Sequence, residues 1–269
     1  MEPILRVENL VKKYERKNPA GSNEELLALD GVSFALAQGT TFAIVGESGS
    51  GKSTLGFCIS GLENPTTGSI WFEGRDITVL TEQERRHIRP QLQLIFQDPS
   101  NSLNPRWTLK EILLEPLILQ GRLTREEMNT RAVALLAQVG LSSDMLQRSP
   151  AELSGGQRQR LAIARALALE PKLLILDEAL SALDCSIQAQ IANLLMELQR
   201  NLGVTYLFIT HDLSMAAHLA DEIAVMYRGR IMEQGPAQKV LRCPTQEITK
   251  NLLAAMPSLD RAARLPLDS

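Results

Sequence analysis

The chain has 269 residues, of which 44% are hydrophobic, enough to bury one substantial core with a subdomain attached. Its net charge of −3, with acids and bases interspersed, gives no nucleic-acid footprint, and its densest basic stretch, Arg85-Arg86-His87-Ile88-Arg89, fits a solvated helix face. Three scattered cysteines, Cys58, Cys185 and Cys243, argue for reduced thiols and against a zinc or iron–sulfur centre. No apolar run reaches membrane-spanning length and the N-terminal residues lack a signal-type apolar core, so contact with a membrane is expected to go through partners.

Residues 1–40 alternate apolar and polar side chains and predict antiparallel strands, interrupted by a polar loop at 18–25. Residues 41–45 form a β-branched, apolar strand signal. They run into Gly46-Glu47-Ser48-Gly49-Ser50-Gly51-Lys52-Ser53, which fits the phosphate-binding loop pattern G-x-x-x-x-G-K-[ST]. Its glycines free the backbone to turn N–H groups inward on an anion. Lys52 supplies a point charge for β- and γ-phosphates, the Ser53 hydroxyl can hold Mg²⁺, and the following helix, residues 52–59, aims its positive end at the same place. A strand before the loop and a helix after it are the context the pattern needs.

Residues 68–76 predict a hairpin and 92–96 a strand ending at Gln97. Between 97 and 150 the pattern turns helical, at 109–119 and 128–139, with breaks expected at Pro116 and Gly140. Leu153-Ser154-Gly155-Gly156-Gln157 then opens a helix expected over 157–169, with Ser154 a candidate cap and two glycines that allow an anion close to the helix end. The buried-strand run Leu173-Leu174-Ile175-Leu176 ends in Asp177-Glu178, where ligands bind in open parallel sheets. Asp177 suits Mg²⁺ held through its water shell, and Glu178 suits orienting or deprotonating an attacking water. Ile187, Ile191, Leu194, Leu195 and Leu198 mark an amphipathic helix ending near Gly203. A strand at 204–210 precedes His211, strands flank Arg228-Gly229, and a short helix follows before a tail from Cys243, whose residues 259–269 are expected to fray.

The pentapeptide at 153–157, placed between phosphate loop and acidic strand, resembles the signature of ABC-type ATPases. Taken singly, Tyr14, Gln97 and His211 also suit ordinary packing or loop roles; their order and spacing along the chain set the reading. Tyr14 resembles the aromatic that stacks on adenine, Gln97 the Q-loop glutamine, Ser181-Ala182-Leu183-Asp184 the D-loop, and His211 the switch histidine that contacts the γ-phosphate. The resemblance implies an α/β fold: a P-loop NTPase (RecA-like) core with an antiparallel β subdomain and an α-helical insertion. It implies ATP and Mg²⁺ as ligands, with Ser53, Gln97 and Asp177 near the metal and Glu178, His211 and Gln97 catalytic. Residues 46–53 with Thr54 would hold phosphates, and Ser154, Gly155, Gly156, Gln157 and Asp184 would meet nucleotide across a head-to-tail dimer.

A narrower resemblance, to oligopeptide, dipeptide and nickel importers, rests on residues 97–106 (Gln-Asp-Pro-Ser-Asn-Ser-Leu-Asn-Pro-Arg) and on Asp177-Glu178-Ala179-Leu180-Ser181-Ala182-Leu183-Asp184, continuing through Ser186-Ile187-Gln188-Ala189-Gln190-Ile191. The tail, 243–257, shares part of that subfamily's pattern but carries Gln246-Glu247-Ile248-Thr249 where a His-Pro-Tyr-Thr-like stretch is usual. The implied partners are two permease subunits, a second cassette that is often non-identical or else a second copy of this chain, and an extracytoplasmic binding protein. The implied place is the cytoplasmic face of the inner membrane, as a peripheral subunit. The domain reading is 1–96 for the β subdomain and phosphate-loop part, 97–150 for the permease-facing helical insertion, 151–242 for the signature, acidic strand and switch, and 243–269 for the tail. The alternative is a soluble ABC-type ATPase or a nucleotide-switched interaction module; the short insert without sustained heptads argues against repair types, and the presence of both Glu178 and His211 against a pure switch.

Overall fold

Alternating side chains build two sheets. The computed structural model describes residues 2–17, 23–98, 103–121, 124 and 127–255. In chain order it shows β1 (Leu5–Lys17), β2 (Asn23–Leu36), β3 (Thr41–Val45), α1 (Lys52–Ser60), β4 (Thr67–Phe72), β5 (Arg75–Asp76), α2 (Glu82–Ile88) and β6 (Leu92–Ile95). The helical insertion follows with α3 (Leu109–Leu119) and α4 (Glu127–Gln138). Then come α5 (Gly155–Leu167), β7 (Leu173–Asp177), α6 (Cys185–Leu202), β8 (Thr205–Thr210), α7 (Leu213–Leu219), β9 (Glu222–Tyr227), β10 (Arg230–Pro236), α8 (Ala237–Arg242) and α9 (Glu247–Ala254).

The antiparallel sheet has the order β2-β1-β4-β5, and the larger sheet β10-β9-β3-β8-β7-β6. In the larger sheet β9, β3, β8, β7 and β6 are parallel, and β10 returns antiparallel along β9. Its central strands are buried on both faces, so alternate residues feed two apolar clusters. Phe42, Ile44, Leu173, Ile175, Leu207 and Ile209 join the antiparallel sheet and α1. Ala43, Val45, Leu174, Leu176, Tyr206 and Phe208 join the helical insertion, α5 and α6.

Three expectations are corrected. The polar loop is shorter than 18–25, because β2 begins at Asn23 and Glu25 pairs with Glu15 across the ladder, next to a Lys13–Glu25 ion pair of 2.8 Å. Pro116 does not break α3: it lies inside the helix, which runs on to Leu119 with Leu113 and Leu117 buried on either side of the proline. The signature helix starts at Gly155 and ends at Leu167, both earlier than expected, because Ser154 and Gln157 form a reciprocal capping box at its start. Of the peptide-importer stretch, residues 99–102 lie outside the described residues, as do the end of the tail pattern at 256–257 and the expected frayed segment at 259–269.

The phosphate loop is held by close backbone packing. A Cβ on Gly46 would lie 2.2 Å from the Met226 carbonyl oxygen, and one on Gly51 2.3 Å from that of Ala28. Ala28 is the extra residue where the β1–β2 register slips between Lys12–Leu29 and Lys13–Leu27, and the bulge turns its carbonyl toward the loop. The Gly229 N–H donates to the Ser50 carbonyl at 2.8 Å, while the Gly229 carbonyl accepts from the Asp30 N–H at 2.9 Å. The β9–β10 turn thereby ties the loop to β2.

Midway along β10 a carboxylate docks the start of α9. Glu233 accepts from the Thr245 N–H (2.8 Å), the Thr245 hydroxyl (2.9 Å) and the Gln246 N–H (3.1 Å). Burial pushes its carboxyl up, but the Thr245 and Gln246 donors outweigh it and hold the pKa down to about 2. A carboxyl depressed in the fold contributes stability that is present above its ordinary pKa and lost as pH falls through about 2.

Two outcomes are expected. Glu233→Gln loosens α9 by roughly 1 kcal/mol after solvent screening is allowed for, so amide exchange over 245–255 speeds up about fivefold while β3 and β8 stay protected. In the parent protein the same protection fades as pH drops from about 4.5 toward 2, and an α9 signal independent of both Glu233 and acid would refute the docking role. Gly51→Ala, at φ +103 and against a backbone oxygen, destabilises by about 2–3 kcal/mol in thermal unfolding. Gly49→Ala, at φ +78 with no atom near the new methyl, costs about 1 kcal/mol and serves as the comparison.

Candidate functional site

The site forms where β3, β8 and β7 lie side by side and end together. Val45 pairs with Thr210 and Asp177 with Ile209, so the residues that follow, Gly46, His211 and Glu178, leave the sheet at one edge. From β3 the chain enters the phosphate loop and then α1, which starts at Lys52 with Gly51 as a left-handed cap. Glu47, Ser48 and Gly49 face solvent, whereas Gly46, Ser50 and Lys52 are buried.

Lys52 is 4% exposed; its ammonium donates to the Gly46 and Glu47 carbonyls at 2.9 Å each and lies 4.0 Å from Glu178 Oε1. Burial pushes its pKa down, while the carboxylates of Glu178 and Asp177 pull it back up. Ser53, in the first turn of α1, donates its hydroxyl to Asp177 Oδ1 at 3.0 Å, and Thr54 follows it half-buried. Asp177 is 5% exposed; burial pushes its pKa up, the Ser53 hydroxyl opposes this, the Glu178 charge adds to it and Lys52 works against it. A buried ammonium and two carboxylates thus share one edge of the sheet.

Glu178 is the hub. Its carboxylate bridges Lys52 and His211, whose Nδ1 lies 3.3 Å from Oε2. Its N–H donates to the Ile209 carbonyl at 2.8 Å, and its backbone is left-handed at φ +48, a strained conformation for a residue with a side chain. The turn that follows supplies a contact that sequence reading did not assign. The Ser181 hydroxyl donates to the Glu178 carbonyl at 2.8 Å and accepts from Gln97 Nε2 at 3.3 Å. Gln97 therefore reaches the acidic strand through Ser181. The only local signal for it is a serine three residues after a strand-ending acid, the spacing of an ordinary hydroxyl-stabilised turn.

The donors fit Mg²⁺ and a triphosphate. Ser53 and Asp177 offer hard oxygens at one point, which suits a metal that also keeps waters and phosphate oxygens. Among the described residues no group of three His, Cys, Asp or Glu side chains forms a metal cage by itself. Inside the loop the Ser50 hydroxyl is buried against Gly46 without a hydrogen-bond partner.

Tyr14 sits on β1 opposite Leu26, two residues from the Ala28 bulge that packs on Gly51. The signature is elsewhere. Ser154 is exposed and caps α5, accepting from the Gln157 N–H at 3.3 Å and donating its own N–H to Gln157 Oε1 at 3.0 Å. A Cβ on Gly156 would lie 2.7 Å from Ile187 of α6, so Gly156 serves close helix packing, whereas one on Gly155 would meet Leu183 at an ordinary 3.4 Å. Asp184 is exposed as the N-cap residue of α6. Among the described residues, no hydrogen bond joins Ser154, Gly155, Gly156 or Gln157 to the phosphate loop of the same chain.

A family model described as ABC transporter matches residues 29–181. The chain is 45% identical to the dipeptide transport ATP-binding protein DppF of Escherichia coli, over 99% of this chain and 81% of that protein. It is 44% identical to the di/tripeptide transport ATP-binding protein DppF of Pseudomonas aeruginosa, over 96% and 80%. Among solved structures it resembles the ATP-binding cassette MJ0796 in its dimeric, post-hydrolysis state with ADP and Pi, at a TM-score of 0.77 and 31% identity, covering 87% of this chain and 98% of that one. It also resembles cbiO1 of Clostridium perfringens, part of the transporter complex cbiONQ, at a TM-score of 0.77 and 30% identity, over 96% and 97%. With its phosphate loop, acidic strand end and capped signature helix in one fold, this chain belongs to the ABC transporter family and is an ATP-hydrolysing cassette of it.

Proposed function

We propose that this chain powers a bacterial peptide-type importer, hydrolysing ATP at a site shared by two cassettes and passing the resulting motion to two membrane subunits. The similarity to dipeptide transport ATP-binding proteins along 99% of the chain carries this reading. In it the protein lies at the cytoplasmic face of the inner membrane, held by its permeases, with a second, non-identical cassette and an extracytoplasmic binding protein completing the machine. That no described helix is long and apolar enough to cross a membrane is compatible with such a peripheral place. The insertion that would face the permease presents Ile118 and Leu119, 52% and 78% exposed, at the end of α3.

In this reading the residues divide the work as follows. The Lys52 ammonium turns from its own loop carbonyls to the β- and γ-phosphates, which relieves a buried cation. Ser53 and Asp177 would hold Mg²⁺, which when bound would supply positive charge to the phosphate oxygens, and Gln97 reaches the turn after Glu178 through Ser181. Glu178, fixed by its strained backbone and by its contacts with Lys52 and His211, orients and deprotonates the water, and His211 steadies the γ-phosphate side. Tyr14 stacks on adenine. Ser154 with Gly155 and Gly156 offers an exposed helix N-terminus to the nucleotide of the partner cassette, and Asp184 lies at the same interface.

Two experiments test the reading. In proteoliposomes holding both permease subunits, a peptide-loaded binding protein should stimulate ATP hydrolysis. Glu178→Gln there should keep ATP binding yet lower turnover about 10²–10⁴-fold and accumulate the closed dimer. Near-normal turnover would remove Glu178 from the chemistry, and absence of stimulation by any peptide would remove the peptide reading. Separately, Lys52→Ala should abolish ATP binding by the monomer, while Ser154→Arg should leave it intact and block dimer closure. Equal binding defects in the two variants would place the signature on the wrong nucleotide.

A further inference from the structure

We infer that Lys12 is a positioning residue for the base of the nucleotide: it backs the far face of the Tyr14 ring and locks that ring against α1. The inference rests on Tyr14 being the adenine platform. Lys12 Nζ lies 4.8 Å from the centre of the Tyr14 ring, within range of a cation–π contact. The ammonium is pinned from the other side as well. It donates to Glu63 Oε2 and to the Asn64 carbonyl, each at 2.8 Å, and its side chain is only 12% exposed. An ammonium has three donors. Two are spent on Glu63 and Asn64, and the ring occupies the remaining side.

The direction of approach matters. Glu63 and Asn64 follow the C-terminal end of α1, whereas the phosphate loop enters its N-terminal end, nine residues away, or ~13 Å along the axis. Lys12 therefore reaches Tyr14 from the side remote from the phosphates and leaves the other face for the base. A cation on one face draws π density from the ring, and the opposite face then stacks better on an electron-rich purine. The same contact fixes the height of the ring over the loop. Lys12 is anchored to the end of α1, Tyr14 lies beside the Ala28 bulge, and that bulge packs on Gly51 at the start of α1. Base and phosphate sites are thus gauged from the two ends of one helix.

The test compares equilibrium binding of MgATP and of Mg-tripolyphosphate, which has the phosphates without a base, by the full-length protein. Lys12→Met keeps the apolar stem and removes the charge. It should weaken ATP about 3- to 10-fold and leave tripolyphosphate within twofold of the parent. Lys12→Arg should restore most of the ATP affinity. Glu63→Gln, at the exposed end of the anchor, should give the Lys12→Met pattern in milder form without altering β1. Tyr14→Ala should lose at least as much ATP affinity as Lys12→Met. If Tyr14→Ala binds ATP normally, Tyr14 is not the platform and the reading on which this inference rests fails. If Tyr14→Ala weakens ATP but Lys12→Met does not, or Lys12→Met weakens both ligands equally, the platform stands and the role of Lys12 is overturned.

Discussion

The nucleotide site depends on one constraint of strand order. With β8 between β3 and β7, and with Val45 level with Thr210 and Ile209 level with Asp177, three chain segments leave the sheet at adjacent points. A one-residue slip of either pairing would exchange the two faces of a strand and also move Glu178 or His211 by one step. The double-sided burial of these strands is what fixes the register. Phe42, Ile44, Leu207 and Ile209 must face one cluster, and Ala43, Val45, Tyr206 and Phe208 the other. Core packing and site geometry are therefore the same specification.

At that edge the protein tolerates an electrostatic arrangement that weakens it. Burial pushes the Lys52 ammonium down and the Asp177 carboxyl up; the Glu178 and Asp177 charges oppose the first shift, and the Ser53 hydroxyl and the Lys52 charge oppose the second. Glu178 adds a second carboxylate on a strained backbone. Buried ions are poor stabilisers, since removing charge from water costs several kcal/mol per ion. The same arrangement is well matched to a ligand that brings both signs. Phosphates take the ammonium, and a divalent cation takes the carboxylate. The buried charges sit on residues that the proposed chemistry uses, while the flanking strands β3 and β8 carry no charge on their buried faces.

Much of this was legible in the sequence, for identifiable reasons. The strand–loop–helix at 41–60 declares itself because a phosphate cradle needs glycines, a lysine and a hydroxyl at fixed spacing. Asp177 and Glu178 stand out because acids rarely follow four buried aliphatics without a task. The loop's tight packing on Ala28 and Met226 was not legible, since it depends on a register slip between strands and on a turn near residue 228. Pro116 misled because local propensity favours a break, and the buried Leu113 and Leu117 outweigh the lost hydrogen bond. Helix α9 was missed because its anchor, Glu233, lies on a strand that gives no local sign of holding a helix. Ser181 was placed in a motif, but its hydrogen bonds to Glu178 and from Gln97 arise only when β6 and β7 are neighbours.

The exposed signature and the buried acid are also physically contiguous. Gly156 presses on Ile187, and Gly155 lies against Leu183, so the start of α5 rests on the segment that connects Glu178 to α6. Within that segment Ser181 holds the Glu178 carbonyl and receives Gln97, which opens the helical insertion. A group bound at the free end of α5 therefore presses on the same short turn that positions Glu178. Contiguity alone is not coupling, which requires a turn with two arrangements that both sites bias. The turn from 178 to 184 is closed by the Ser181 N–H and hydroxyl on the Glu178 carbonyl (3.1 and 2.8 Å) and by the Leu183 N–H and Gln188 Nε2 on the Leu180 carbonyl (3.2 and 3.0 Å), and it buries Ala179 and Leu180. Glu178 is its one strained residue, so a displacement imposed at the signature has to work against these bonds before it reaches the acid.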